Sequence, residues 1–565
     1  MLNTATALPL ALATFVGAEI VARHWQPLRL IDRIETGLKS RWTPIVCGAV
    51  TSLIMRWIWG SLRQQAVMTD GLGYLTQARI FSAFHLYAAP RPLPEFFEQA
   101  HVFVTPKFMA KYPPGHSLVL VPGVWLGLPA LVPILLAGVT GALTFSLARR
   151  ITNAWIALTT WLLWLTAAGV DWSMTTFLSQ TTTCALWLGG WYALLRWYQE
   201  GHRGWLALLA LCAGWGLLTH PFTWVLFGIP TAVLVLMQAR RRGLWKDVAL
   251  AAAICFAFAA ILIGWSDATV GHGLTLPWSV YARMYSPWDK LGFRPDSTPP
   301  LRALPPIMAR SAVDYLDFHA KYTVGALPLQ LTHRLYRIVG DVWGDWRFVF
   351  VPVALLGLVA IPAEFRFALI TGATVLLGFL VYAHRPQWTM YYLELDPLFA
   401  FAMAIGIWRA SCLLLDRTGL AREKLRRLIS PRAATALLLL NVALTPEYLS
   451  SITVARYSHA RLVAEINAFR DKVAALPGSR IIVFVHYDPK HEPPWSLVFN
   501  EPDLQRARAW QVYDRGADDM RLIHLAPSRI PYLYDQKSDQ FVRMDTTAIH
   551  NLYFAESAIG GTDHH

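Results

Sequence analysis

Long apolar runs recur along the 565-residue chain, separated by short basic connections and by two long aromatic stretches. A membrane-spanning helix needs about 20 apolar residues. Runs of that kind lie near 4–22, 43–61, 131–148, 154–170, 180–197, 205–219, 221–239, 247–265, 348–363, 367–383, 395–414 and 434–449. They predict about twelve transmembrane helices. The first run is followed by its basic residues, Arg23, Arg29 and Arg33, and has no basic segment before it. It is therefore expected to be a helix and not a signal peptide.

The polar positions between the runs set an orientation. Alternate connections carry Arg23 to Arg41, Arg149-Arg150, Arg196 with Arg203, Arg240-Arg241-Arg242 with Lys246, Arg366, and Arg409 to Arg432. Placing all of these in the cytoplasm satisfies the positive-inside bias at every hairpin. The segments 62–130, 266–347 and 384–394 then face outward, as does everything after about 450. The two long outer loops are rich in Trp, Tyr, Pro and His, and hold short amphipathic pieces at 72–87 and 307–320 that are expected to lie in the interface. The tail changes character: a charged helical stretch, a Pro477-Gly478 break, then the β-branched run 480–487, with 508–513 and 520–525 as pairing partners. The last dozen residues are expected to fray.

The expected fold class is mainly α: a polytopic membrane protein with about twelve transmembrane helices plus a small C-terminal extracytoplasmic α/β domain. Residues 1–42 form an extra N-terminal helix and cytoplasmic linker. Residues 43–450 form the transmembrane domain with its outer loops 62–130 and 266–347. Residues 451–565 form the soluble outer domain.

Composition narrows the function. The chain is 55% hydrophobic and only 15% charged, against about a quarter charged in soluble domains. The net charge of +14 follows the cytoplasmic connections, so it is a topology signal and implies no nucleic-acid partner. Five cysteines, Cys47, Cys184, Cys212, Cys255 and Cys412, all fall in or beside apolar runs, without metal-type spacing or a disulfide framework. Polar material gathers outside one leaflet, where a carrier would instead place ionisable residues mid-membrane. That pattern points to chemistry on a lipid headgroup at the outer surface.

The first candidate for chemistry is Asp70, just beyond the second run. In a helix, Asp70, Tyr74 and Gln77 share one face; the alternative is that Thr69-Asp70-Gly71 simply starts that helix. The second is the stretch 107–117, KFMAKYPPGHS, whose Pro pair also suits a helix start. Outer-side cations that could meet a phosphate are Lys111, Arg283, Arg334, Arg337 and Arg385, or these contact lipid headgroups. Arg385 has the best position, with His384 and Tyr391 beside it; His220 falls at an outer corner. His116, His272 and His333 are scattered and read as structural, and Glu394 and Asp396 start a span, where acids suit a helix N-terminus.

These pieces occur in a telling order: Asp70 with Tyr74, then Tyr112-Pro113-Pro114, Ala148-Arg149-Arg150, the stretches 176–187 and 217–223, the loop 271–293, and 390–406 before a late span. The chain resembles the integral-membrane glycosyltransferases of the GT-C fold, in the bacterial branch related to protein mannosyltransferases and aminoarabinose transferases. The resemblance covers roughly 40–450. It implies an enzyme of the bacterial inner (plasma) membrane, a hexosyl or pentosyl transferase that moves a sugar with inversion from a polyprenyl-phosphate donor to an acceptor hydroxyl at the outer face. The acceptor would be a glycan, lipid or protein, with membrane lipids around it.

In that family the first-loop Asp acts as general base or aligns the acceptor hydroxyl, a role that maps onto Asp70. The residues expected to bind substrate are Tyr74, Gln77, Lys111, Tyr112, His220, Arg283, His384, Arg385 and Tyr391. Many relatives carry a second acidic residue where Gly71 stands here. Aminoarabinose-type relatives have an acidic residue and a Lys just before the Pro pair, where this chain has Lys111 and Tyr112, and an Asp in place of Gln180. Without those carboxylates a divalent metal is not expected, and neither is aminoarabinose specificity. No sugar-nucleotide motif is present, which suits a lipid-borne donor. Two other readings stay open: a transporter or flippase of a lipid-linked substrate, and a non-catalytic glycan-binding relative.

Overall fold

The computed structural model describes residues 4–293, 296–359, 361–416, 430–491 and 495–544. The chain is mainly α, and a helix occupies each of the expected apolar runs. Five of the described helices are long and apolar enough to cross a membrane by themselves. The number rises to seven if two bent pairs each form one span: Ala154–Leu165 with Ala168–Met174 (66°), and Pro431–Ala443 with Thr445–Ala475 (43°). The tail expected to fray lies outside the described residues.

Small residues let the membrane helices approach closely, as helices in lipid require. Helix Thr43–Trp59 lies against Leu131–Ile151, where a Cβ on Gly48 would come 2.9 Å from the Gly138 carbonyl. Helix Val351–Val359 packs on Asp396–Asp416 in the same way, with a Cβ on Gly357 falling 2.6 Å from the Ala402 carbonyl. The basic end of Leu131–Ile151 ties down the N-terminal linker: the Arg149 guanidinium donates to the carbonyls of Leu38 (2.8 Å) and Ser40 (2.7 Å).

The C-terminal sheet has four strands: β3 (Ile481–His486), β4 (Ala509–Tyr513), β5 (Ile530–Asp535) and β6 (Gln540–Arg543), in the order β4-β3-β5-β6. A two-stranded hairpin in the first long loop, β1 (Val102–Phe103) and β2 (Met109–Ala110), precedes it. Strand β3 pairs in parallel with β4 (Val483 opposite Gln511) and with β5 (Val483 opposite Tyr532), and β6 closes the edge antiparallel. A central parallel strand is covered on both faces, which accounts for the unbroken run IIVFV. One face, with Ile482 and Phe484, packs on Ile80, Phe96, Phe97 and Phe108 of the first long loop. The other, with Ile481, Val483 and Val485, packs on Val463, Ile466 and Phe469 of helix Thr445–Ala475.

Two local expectations change. The segment 520–525 is not a strand: Asp519–Leu525 is a helix, because joining two parallel strands takes a crossover. The piece 72–87 does not lie open in the interface. Helix Thr69–Ser82 is buried along most of its length: Leu72, Tyr74, Leu75 and Ala78 join the core of the membrane helices, and Ile80 packs with loop 83–112 and the C-terminal sheet. Polar ties lock that enclosure. The Arg91 guanidinium lies 3.5 Å from the Phe108 ring centre and donates to the carbonyls of Glu501 (2.6 Å) and Pro502 (3.0 Å), while Arg79 pairs with the Glu501 carboxylate at 3.0 Å.

Arg334 is fully buried on helix Leu327–Trp343. It donates to the carbonyls of Phe379 (2.7 Å), Tyr382 (3.0 Å) and His384 (3.4 Å), and to the hydroxyls of Tyr322 (2.8 Å) and Tyr392 (3.2 Å). It clamps the loop 379–392 and is enclosed by its own partners. Arg334→Met should cost roughly 3 kcal/mol, because it strands a set of buried acceptors. Arg334→Lys should recover only part, since an ammonium has no planar fork. Thermal unfolding in detergent checks both.

Candidate active site

Asp70 is the second residue of helix Thr69–Ser82, where amide dipoles favour a carboxylate. The N-cap position is taken by Met68, and the Asp70 carboxylate faces Tyr112 and His101. Met68, just before the helix, bridges to Trp495 in the C-terminal region, which fixes the entry of the chain. The Asp70 side chain remains 38% exposed.

Two groups grip it. The Tyr112 hydroxyl donates to Oδ1 at 2.5 Å, and His101 Nε2 lies 3.4 Å from Oδ2. Desolvation pushes the Asp70 carboxyl up, but His101, the Tyr112 hydroxyl and the Lys111 ammonium outweigh it and hold the group well below the usual carboxylate range. The Tyr112 phenol moves the other way, raised well above its ordinary value by burial and by Asp70, so it stays a donor. Its ring stacks on Tyr74 with centres 4.1 Å apart, and Tyr74 donates to Ser179 Oγ at 2.9 Å.

His101 sits in a left-handed backbone conformation (φ 68°), a costly state for a residue with a side chain. Its surroundings hold it there: the His101 N–H donates to the Tyr281 hydroxyl at 2.8 Å, and its carbonyl accepts from the Lys111 N–H at 3.0 Å. Lys111 follows β2 and is 5% exposed. Its ammonium lies 5.1 Å from the Tyr281 ring centre and 5.5 Å from that of Tyr112, and 3.6 Å from Asp289 Oδ2. Asp289 Oδ1 accepts from the Tyr382 hydroxyl at 2.8 Å, and Tyr382 also hydrogen-bonds Tyr391.

The structure thus gathers Asp70, Lys111, Tyr112 and Tyr391 into one neighbourhood, with Tyr74 beneath as a ring support. The other expected residues are occupied nearby or stand apart. Gln77 braces the hairpin, donating to the Leu86 carbonyl (2.9 Å) and accepting from the Ala110 N–H (3.0 Å). His384 is buried against the Tyr392 hydroxyl (3.0 Å) and its ring lies tilted beside that of Tyr391, with ring centres 4.8 Å apart. His220 pairs with Thr223 (3.0 Å), its ring 6.4 Å from that of Tyr391. Arg385 lies 3.7 Å from Asp314, and Arg283 is exposed on helix Pro277–Tyr285. Glu394 accepts from Thr183 at 2.5 Å and is enclosed with Asp396. Among the described residues no three His, Cys, Asp or Glu side chains converge as metal ligands.

Four members of this neighbourhood, His101, Tyr281, Asp289 and Tyr382, were not singled out by sequence reasoning. Their one signal is chemical: an Asp and a His set among tyrosines in loops already read as the working face. Nothing in their spacing pairs them, since the contacts join the first long loop to the second and to the loop after 381.

Known proteins place part of this chain. Residues 127–265 match the family described as dolichyl-phosphate-mannose-protein mannosyltransferase. That segment holds scaffold helices and His220; Asp70, Lys111 and Asp289 lie outside it. Two solved structures of ArnT from Cupriavidus metallidurans follow a similar course, each 16% identical with a TM-score of 0.47. The one bound to undecaprenyl phosphate covers 88% of this chain and 91% of its own; the apo one covers 87% and 89%. No curated protein matches. Through the helices of 127–265 the chain is similar to the membrane glycosyltransferases of GT-C type.

Proposed function

We propose that this protein is a GT-C-type glycosyltransferase that moves a sugar from a polyprenyl-phosphate donor to an acceptor hydroxyl at the extracytoplasmic face, inverting the anomeric carbon. The observation that carries the reading is the juxtaposition of an ionised, partly exposed Asp70 with the buried ammonium of Lys111. The family matched by residues 127–265 is described by a lipid-phosphate-linked mannose donor, which agrees with that chemistry.

The roles follow from charge. An acceptor hydroxyl that hydrogen-bonds Asp70 is aligned on the anomeric carbon and gives up its proton as the new C–O bond forms. The bond from that carbon to the phosphate oxygen breaks, and its electron pair stays on the phosphate. Lys111 lies where it can meet that growing charge. The rings of Tyr112 and Tyr281 exclude water from the ammonium, which strengthens its field. Acceptor geometry on one side and leaving phosphate on the other imply a single displacement.

The test is the fate of the donor lipid. With purified protein in liposomes, a transferase releases free polyprenyl phosphate, whereas a flippase moves the lipid across intact and a glycan-binding relative does neither. Sidedness has its own check. Arg241 lies in the last turn of helix Pro221–Arg242, and Asp539 lies in the turn between β5 and β6. Single Cys replacements at the two positions should react with an impermeant thiol reagent from opposite sides of the membrane; labelling from one side would overturn the orientation.

A further inference from the structure

A buried ammonium is costly unless a counter-charge accompanies it. Lys111 is such a group, with 6% of its side chain exposed, and the Asp289 carboxylate lies 3.6 Å from its ammonium. Lys111 has supports other than Asp289. The Lys111 backbone is fixed by the His101 carbonyl, and its ammonium is flanked by the rings of Tyr281 and Tyr112. Asp289 has its own anchor in the Tyr382 hydroxyl at 2.8 Å, and its side chain is more exposed than that of Lys111, at 17%. Asp289 is thus the more open partner of the pair, with one carboxylate oxygen tethered to Tyr382 and the other facing the lysine.

Resting on the proposed phosphate role of Lys111, we propose that Asp289 is a built-in stand-in for the donor phosphate. It neutralises Lys111 while the site is empty, yields the ammonium when the donor arrives, and helps expel the phosphate-terminated lipid after transfer. The driving force is like-charge repulsion. With phosphate on Lys111, the Asp289 carboxylate lies within a few ångströms of a second anion in a partly dehydrated site, where such repulsion is poorly screened. The device keeps product from lodging on a buried cation, at the expense of donor affinity.

The prediction has a sign that a merely structural role reverses. Asp289→Asn keeps the shape and the contact with Tyr382, and should bind polyprenyl phosphate about tenfold more tightly. In turnover it should lower the donor KM and also lower kcat, because product release slows. Asp289→Glu, which keeps the charge, should not show the tighter binding. If Asp289 served to position Lys111, Asp289→Asn would instead weaken binding.

The experiment is equilibrium binding of polyprenyl phosphate to the full-length protein in nanodiscs, with Lys111→Gln alongside. Tighter binding by Asp289→Asn, repeated by Asp289→Ser, supports the inference. Unchanged or weaker binding in both, with Lys111→Gln still binding poorly, overturns the inference and leaves the phosphate site standing. Unchanged binding by Lys111→Gln overturns the phosphate role of Lys111 and the inference with it.

Discussion

Asp70→Asn should abolish sugar transfer, lowering kcat by roughly a thousandfold while leaving polyprenyl-phosphate binding intact. The replacement is nearly isosteric, and its amide oxygen can still accept from Tyr112, so the loop that carries Lys111 keeps its place. What is lost is the proton acceptor. An amide aligns the acceptor hydroxyl and cannot take its proton, and the rate then falls by what a general base contributes. A parallel measurement of donor binding separates this loss from misfolding.

The environment of Asp70 also fixes a pH sign. Its carboxyl is held below the usual range. The ionised form therefore prevails at all pH values above that lowered pKa, and the Asp70 limb of kcat/KM should appear only in strong acid. The stability that the charged form adds is present above the ordinary carboxylate pKa and is lost as pH falls through the lowered one.

Lys111→Gln should be nearly as damaging, but with a different signature. Removing a preorganised cation from a leaving phosphate costs on the order of a hundredfold in kcat/KM. Here the donor KM should rise with the loss, because the ammonium meets the phosphate in the ground state as well. Free polyprenyl phosphate should bind more weakly to the variant, which Asp70→Asn does not predict. Lys111→Arg should restore only part, since a guanidinium spreads the charge that the ammonium concentrates beside the Tyr112 and Tyr281 rings. Steady-state kinetics over a donor series, with a binding isotherm for the product lipid, distinguishes the two variants.

The helical membrane architecture was legible in the sequence because lipid imposes a length and a polarity on every span. The run 481–485 was legible for a similar reason: β-branched residues with no polar alternation mark a strand covered on both sides. Helix Thr69–Ser82 was read as an interfacial piece because its covering comes from elsewhere in the chain, the membrane-helix core over Leu72, Tyr74, Leu75 and Ala78 and the C-terminal sheet over Ile80. Asp70 stood out by its place at a membrane boundary, yet its partner His101 did not, because a single His among aromatic residues carries no spacing signal. Asp289 was hidden in the same way, since it reaches Lys111 and Tyr382 from a different loop from either. Arg334 shows the converse: counted among the cations that could meet a phosphate, it is committed to five acceptors of the protein itself. Sequence supplies the charges of a site, and only the packing of its loops decides which of them are spoken for.

The central claim is a single displacement at the anomeric carbon, with Asp70 on the acceptor side and Lys111 on the phosphate side. Its most direct test is the anomeric configuration of the product made by the purified wild-type protein from a polyprenyl-phosphate sugar of known configuration, read by NMR from the anomeric proton coupling. An inverted linkage, formed together with free polyprenyl phosphate, is the predicted result. A retained linkage, or a donor lipid recovered uncleaved across a panel of sugars and acceptors, would contradict it.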